Sequence, residues 1–114
     1  EQTRKDAEAF NVEAHTFSAD LSDTEETESI VPAAAKKFGR VNILINNAAV
    51  FPVNDTFTGM KTDLWDTIFD VNLRAPFLLS RKFASHVGAD DKGKIININD
   101  ARISRPAPDH QASP

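Results

Sequence analysis

Three stretches of the chain read with the short period of a strand, and between them apolar positions recur at the spacing of a helix. Val12 to Phe17 alternates imperfectly, with Val12, Ala14 and Thr16 set against Glu13, His15 and Phe17, and predicts a short strand with Asp20 beyond its carboxyl end. Val41 to Asn46 is stronger. Four of its first five residues are apolar and three are β-branched, the composition of a parallel strand covered on both faces. It runs directly into Asn46-Asn47-Ala48-Ala49. Ile95-Ile96-Asn97-Ile98-Asn99 predicts a third strand, with Asp100 at its end.

The segments between are helical. Residues 1 to about 10 read as the end of a helix that Asn11 can stop. Ser22-Asp23-Thr24-Glu25 is a capping box, Ser22 capping and Glu25 reaching back, for a helix that runs to Phe38 and ends at Gly39. Pro32 inside that span predicts a kink or a broken first half. A long helix follows over about Lys61 to Val87. Leu64, Ile68, Val71, Ala75 and Leu78 form its buried face, and Gly88 closes it. Phe51 to Met60, with Pro52, Asn54, Asp55 and Gly59, reads as a loop. Strands alternating with helices give right-handed βαβ units and a parallel sheet, hence an α/β fold. In such sheets ligands bind beyond the carboxyl ends of the strands, where Asn46 to Ala49 and the loop from Phe51 fall.

Composition narrows the function classes. A chain of 114 residues builds one small domain. Net charge is -4 with no basic run, which argues against nucleic acid. With no cysteine there is neither a disulfide nor a thiolate metal site. His15, His86 and His110 fall on separate elements without ligand spacing, so no metal site is expected. No apolar run approaches the roughly 20 residues of a membrane span, and the first residues lack a signal peptide's apolar core, so the expected compartment is the cytoplasm. Trp65 and the eight phenylalanines are expected in the core.

Asn46-Asn47-Ala48-Ala49 resembles the Asn-Asn-Ala-Gly signature of the short-chain dehydrogenases/reductases, with Ala49 in place of the glycine. The resemblance covers Val12 to about Ala112. It implies a Rossmann-like parallel sheet with flanking helices, a single partial domain over 1–114 holding three strands of the doubly wound fold, and NAD or NADP as cofactor. By that resemblance, Asp20, followed by Leu21, contacts the adenine. The Asn46–Ala49 turn steadies the central strand and lines the adenosine ribose. Asn72, in Asp70-Val71-Asn72-Leu73, is the catalytic asparagine. Pro76 has no N–H, so the Asn72 carbonyl loses its usual helical donor and is freed to hold a water of the family's proton relay. Taken alone, Asp20 is an ordinary polar residue near a helix start, Asn46–Ala49 a strand-ending turn and Asn72 part of a proline-kinked packing helix; the series of motifs favours the family roles.

Asp100 stands where the family usually carries serine. The run Ile95 to Arg102, then Arg105-Pro106, looks like the pteridine-reductase branch, in which an aspartate assists protonation of a pterin and which favours NADP. A carboxyl whose surroundings raise its pKa can donate a proton that an alcohol cannot. Taken alone, Asp100 caps a strand-end turn.

Three family features are not found. None of Gly39, Gly59, Gly88 and Gly93 forms the glycine-rich turn that cradles the cofactor pyrophosphate. The catalytic tyrosine is expected at position 113, which is Ser113, and the chain contains no tyrosine. The strands that separate Val12–Phe17 from Val41–Asn46 in the order 3-2-1-4-5-6 are likewise not found, leaving open sheet edges. The leading expectation is therefore a segment of an NAD(P)(H)-dependent oxidoreductase whose parent reduces a carbonyl or pterin-type C=N bond, itself without turnover. The alternative is a catalytically inactive binding or oligomerisation module that self-associates through Lys61–Val87 or the sheet edges. A receiver-like α/β domain lacks the clustered acidic residues and lysine it needs.

Overall fold

The computed structural model describes residues 1–51, 56, 58–88 and 92–100. Helix α1 spans Gln2–Glu8 and α2 spans Thr24–Phe38. Strand β1 is Ile43–Asn46. A helical stretch then runs as α3 (Thr62–Phe69), one π turn (Asp70–Arg74) and α4 (Ala75–His86), and strand β2 is Lys94–Asn97. β1 and β2 pair in parallel, Ile43 opposite Lys94 through Asn46 opposite Asn97. Backbone bonds extend the ladder at both ends, from Lys94 N–H to the Asn42 carbonyl and from Ile98 N–H to the Asn46 carbonyl. This is the βαβ unit that the alternating pattern predicts, with shorter strands.

The third expected strand is not formed. Val12 to Phe17 is unpaired irregular chain, and the sheet among the described residues has two strands. A strand needs a neighbour for its N–H and C=O groups, and none of the described residues offers one to this segment. It is tethered by side chains instead, through an ion pair of Glu13 with Lys37 at 3.1 Å.

The start of α2 differs by one residue from the capping box read in the sequence. Asp23 is the cap, its carboxylate accepting the Glu26 N–H at 2.9 Å. The Ser22 hydroxyl is turned instead to Asp20 Oδ1, to which it donates at 2.7 Å. Glu26, not Glu25, reaches back, and it takes the Asp20 N–H at 2.7 Å. Neither does Pro32 break the helix, since α2 is continuous through it. Gly39, at φ 81, terminates α2 where a side chain would be strained.

The core lies between α2 and α4, over β1. Val31, Leu79 and Phe83 are buried there, with Ile30, Val41, Leu44 and Val87 packed against them. Val71, Ala75 and Leu78 face inward as the helical spacing predicts, while Leu64 and Ile68 are half-buried. The aromatic expectation fails. Phe83 is buried, but Trp65, Phe10, Phe17, Phe38, Phe51, Phe69 and Phe77 are exposed; Phe57 and His110 lie outside the described residues. Two helices over two strands enclose one seam, and that seam has room for one of these rings. No helix among the described residues is long and apolar enough to cross a membrane.

Candidate functional site

β1 carries the centre of the site. Alternation along the strand turns Leu44 and Asn46 toward the helices, and the parallel register places Ile95 and Asn97 on the same side. Asn46 Nδ2 donates to Asn97 Oδ1 at 2.8 Å. The Asn46 Oδ1 atom is buried and accepts no hydrogen bond. A buried acceptor left without a donor costs about 1–3 kcal/mol.

Beyond Asn46 the chain passes through Ala48 and Ala49 to Val50, where Asn72 grips it. Asn72 Oδ1 accepts the Val50 N–H and Asn72 Nδ2 donates to the Val50 carbonyl, both at 2.8 Å. One carboxamide thus satisfies both backbone groups of a residue that has left the sheet. The π turn accompanies this arrangement: the Ala75 N–H reaches the Asp70 carbonyl five residues back. Pro76 supplies the reason, since it cannot donate to the Asn72 carbonyl and the α-helical ladder has a gap there.

A groove of about 580 Å³ opens at this end of the sheet. Its lining comes from Asn46, Ala48, Ala49 and Phe51, from Asn72, Leu73, Pro76, Phe77 and Ser80, and from Asn97, Ile98 and Asn99. Of the residues the sequence singled out, Asn46, Ala48, Ala49 and Asn72 meet here. Asn47 is exposed and does not line the groove. Asp100 follows Asn99, half-buried and outside the lining. Asp20 and Leu21 lie in the separate turn before α2, also outside it. Ser22 donates to Asp20 Oδ1 from its hydroxyl and from its N–H at 2.8 Å, and these bonds hold the Asp20 carboxyl below the usual carboxylate range.

Sequence reasoning passed over Asn97, Asn99 and Ser80. The signal for the asparagines was present as the two-residue period of Ile95-Ile96-Asn97-Ile98-Asn99, which sets both on the face of Asn46. The polar side chains of the groove are thus carboxamides and one hydroxyl, neutral groups that both donate and accept.

A parallel βαβ unit with a groove at the carboxyl ends of its strands defines the class, an α/β domain of the Rossmann-like kind. The short chain dehydrogenase family model matches residues 1–108, and the chain belongs to that family. It is 32% identical over 102 residues to a short-chain type dehydrogenase/reductase of Picea abies, with 89% of this chain and 38% of that protein covered. Among solved structures it resembles a metagenomic short-chain oxidoreductase in complex with NADP, at 34% identity and TM-score 0.79 over 86% of this chain and 44% of the other. It also resembles the FolM alternative dihydrofolate reductase 1 of Brucella canis complexed with NADP, at 26% identity and TM-score 0.80 over 94% and 43%. The chain therefore spans about two-fifths of the length of these relatives.

Proposed function

We propose that this chain is the central segment of an NAD(P)(H)-dependent short-chain oxidoreductase of the pteridine-reductase-like branch, and that its groove takes part of the cofactor. The observation that carries the reading is the buried, unpartnered Asn46 Oδ1 at the strand end. A ribose hydroxyl is a donor of the right kind for it. Ala48 and Ala49 keep the backbone beside it open to close approach, and Asp20 with Leu21 would meet the adenine from the neighbouring turn. NADP is favoured over NAD, in keeping with the NADP named for both structural relatives.

In the parent the nicotinamide supplies hydride to a C=O or C=N bond. Asn72 serves in two ways. Its side chain fixes Val50, and so the path of the chain leaving β1, while its carbonyl, without a donor from Pro76, orients a relay water. Asp100 assists protonation of the substrate nitrogen. Dihydrofolate carries a pterin ring, so the FolM relative is in keeping with that role. The chain contains no tyrosine, so these 114 residues alone lack the phenol that completes proton transfer, and no turnover is expected from them.

The test is a titration of NADPH into the purified chain, read by its fluorescence. Saturable binding that Asn46→Ala weakens at least tenfold supports the reading. Absence of saturation at millimolar NADPH sinks it for this segment.

A second reading rests on a different observation. Trp65, Phe69, Leu73 and Phe77 are exposed at four-residue spacing along α3, the π turn and α4, and the sheet has open edges. They fit a binding module that pairs with a second copy of itself. A monomeric mass by light scattering at tens of micromolar would count against it.

A further inference from the structure

The turn Asp20–Ser22 and the residue Asn72 sit on different elements, and one side chain joins them. Arg74 Nη2 donates to the Ser22 carbonyl at 2.6 Å, 52 residues away in the chain. Its Nη1 pairs with Asp70 Oδ1 at 2.9 Å, within the same π turn. The guanidinium is planar, so a carboxylate holding one nitrogen aims the other. Asp70 fixes the plane and Ser22 receives the second donor.

The other bonds of the Asp20–Ser22 turn come from its own helix. The Thr27 hydroxyl, fully buried, donates to the Asp23 carbonyl at 2.6 Å with the Leu21 carbonyl 3.3 Å away. Glu26 takes the Asp20 N–H. These bonds set the internal shape of the turn. They tie the turn to α2, and Arg74 adds a bond that ties it directly to the π turn.

Two residues apart on a helical turn, Asn72 and Arg74 point to nearly opposite sides. Asn72 grips Val50 on one side and Arg74 grips Ser22 on the other. The π turn is thus a strut between the chain leaving β1 and the turn entering α2. We propose that Arg74 is a positioning residue that locks the Asp20–Ser22 turn to the π turn, so that the two parts of the candidate site keep a fixed spacing. The meaning of that spacing rests on the proposed function; the lock itself does not.

The test is amide hydrogen exchange by NMR on the full chain without cofactor, comparing wild type with Arg74→Met and Asp70→Asn. Methionine keeps the apolar stem and removes the fork. Expected in R74M is a tenfold or greater rise in exchange at Asp23 and Glu26, with Ile98, in the β1–β2 ladder, within twofold of wild type. D70N, which leaves the Ser22 bond in place, is expected to change Asp23 and Glu26 less than threefold. Unchanged exchange at Asp23 and Glu26 in R74M overturns the proposal and leaves Arg74 as a local ion-pair partner. An equal rise at Ile98 also overturns it, making Arg74 a general stability residue. Should R74M fail to fold, R74A gives the same reading, because alanine favours the helix and donates to neither partner. Severalfold loss at Asp23 and Glu26 with Ile98 held supports the lock, and no loss overturns it. Since exchange is read without NADPH, failure of cofactor binding and failure of the lock are separate results.

Discussion

The two faces of β1 are built from similar residues and have opposite fates. Leu44 and Asn46 turn toward α2 and α4 and are half-buried. Ile43 and Ile45, one position away, are 54% and 56% exposed, and Ile96 and Ile98 are exposed beside them. The strand's composition describes a sheet covered twice, whereas the helices here cover it once. A β-branched apolar strand therefore reports the environment its residue types suit, and burial reports which layers are present. Four exposed isoleucines side by side form an apolar surface that a lone soluble domain seldom leaves open.

The largest test of that contrast compares one residue from each face. Phe83 is 2% exposed and packs with Val31 and Leu79. Phe83→Ala is expected to cost about 3–5 kcal/mol. For a small domain whose whole stability is of order 5–15 kcal/mol, that removes most of the folded population on mild heating. Ile45→Thr, on the open face, is expected to change stability by less than about 0.5 kcal/mol. Urea unfolding followed by circular dichroism measures both. Similar losses at the two sites would mean that the open face is covered in solution.

The difference between the faces also explains what could be read in advance. The βαβ order, the helix over Lys61–Val87 and the Gly39 stop follow from local pattern, because periodicity and chain breaks act within a few residues. What failed depended on partners far along the chain. Val12–Phe17 has strand composition but no neighbour to pair with. Trp65 and most phenylalanines have core composition but no layer over them. The shift of the α2 cap from Ser22 to Asp23 is a third kind of miss. Both residues cap well, and the choice is made by Asp20, whose carboxylate already holds the Ser22 hydroxyl. Arg74 had no sequence signal, since its partner Ser22 is distant and is contacted through a carbonyl that any residue would supply.

A middle-sized effect is expected where the chain leaves the sheet. Asn72→Ala removes both bonds to Val50, one from its N–H and one from its C=O. Groups so orphaned cost about 1–3 kcal/mol when dry. The groove admits water, which places the expected loss near the lower figure. Asn72→Asp separates the two bonds, because a carboxylate still accepts from the Val50 N–H but cannot donate to its carbonyl. N72D is expected to fall between wild type and N72A in urea midpoint. If N72A matches wild type, the grip on Val50 contributes nothing, and the covered face needs no support from the π turn.

The smallest expected effect lies at the rim of the covered face, where α2 and α4 are tied on the surface. The Arg81 guanidinium donates to Glu28, and Lys82 approaches the same carboxylate at 3.8 Å. The hydrogen bond from Arg81 is the main cause that holds the Glu28 carboxyl below its ordinary value of 4.5. A folded-state pKa below the unfolded one stabilises the fold above pH 4.5, and the contribution is lost as pH falls through the folded value. Glu28→Gln should therefore lower the melting temperature slightly at pH 7 and flatten its decline below pH 4.5. The site is solvated, so added salt should narrow the gap between the two proteins at pH 7, the Debye length falling to about 3 Å at 1 M. The open face offers no such pair between helices, so its isoleucine variants should show neither the pH term nor the salt term. A pH-independent difference between E28Q and wild type would mean that the tie does not rest on the Glu28 charge, and would leave Arg81 held by the Phe77 ring, whose centroid lies 5.3 Å from the guanidinium carbon.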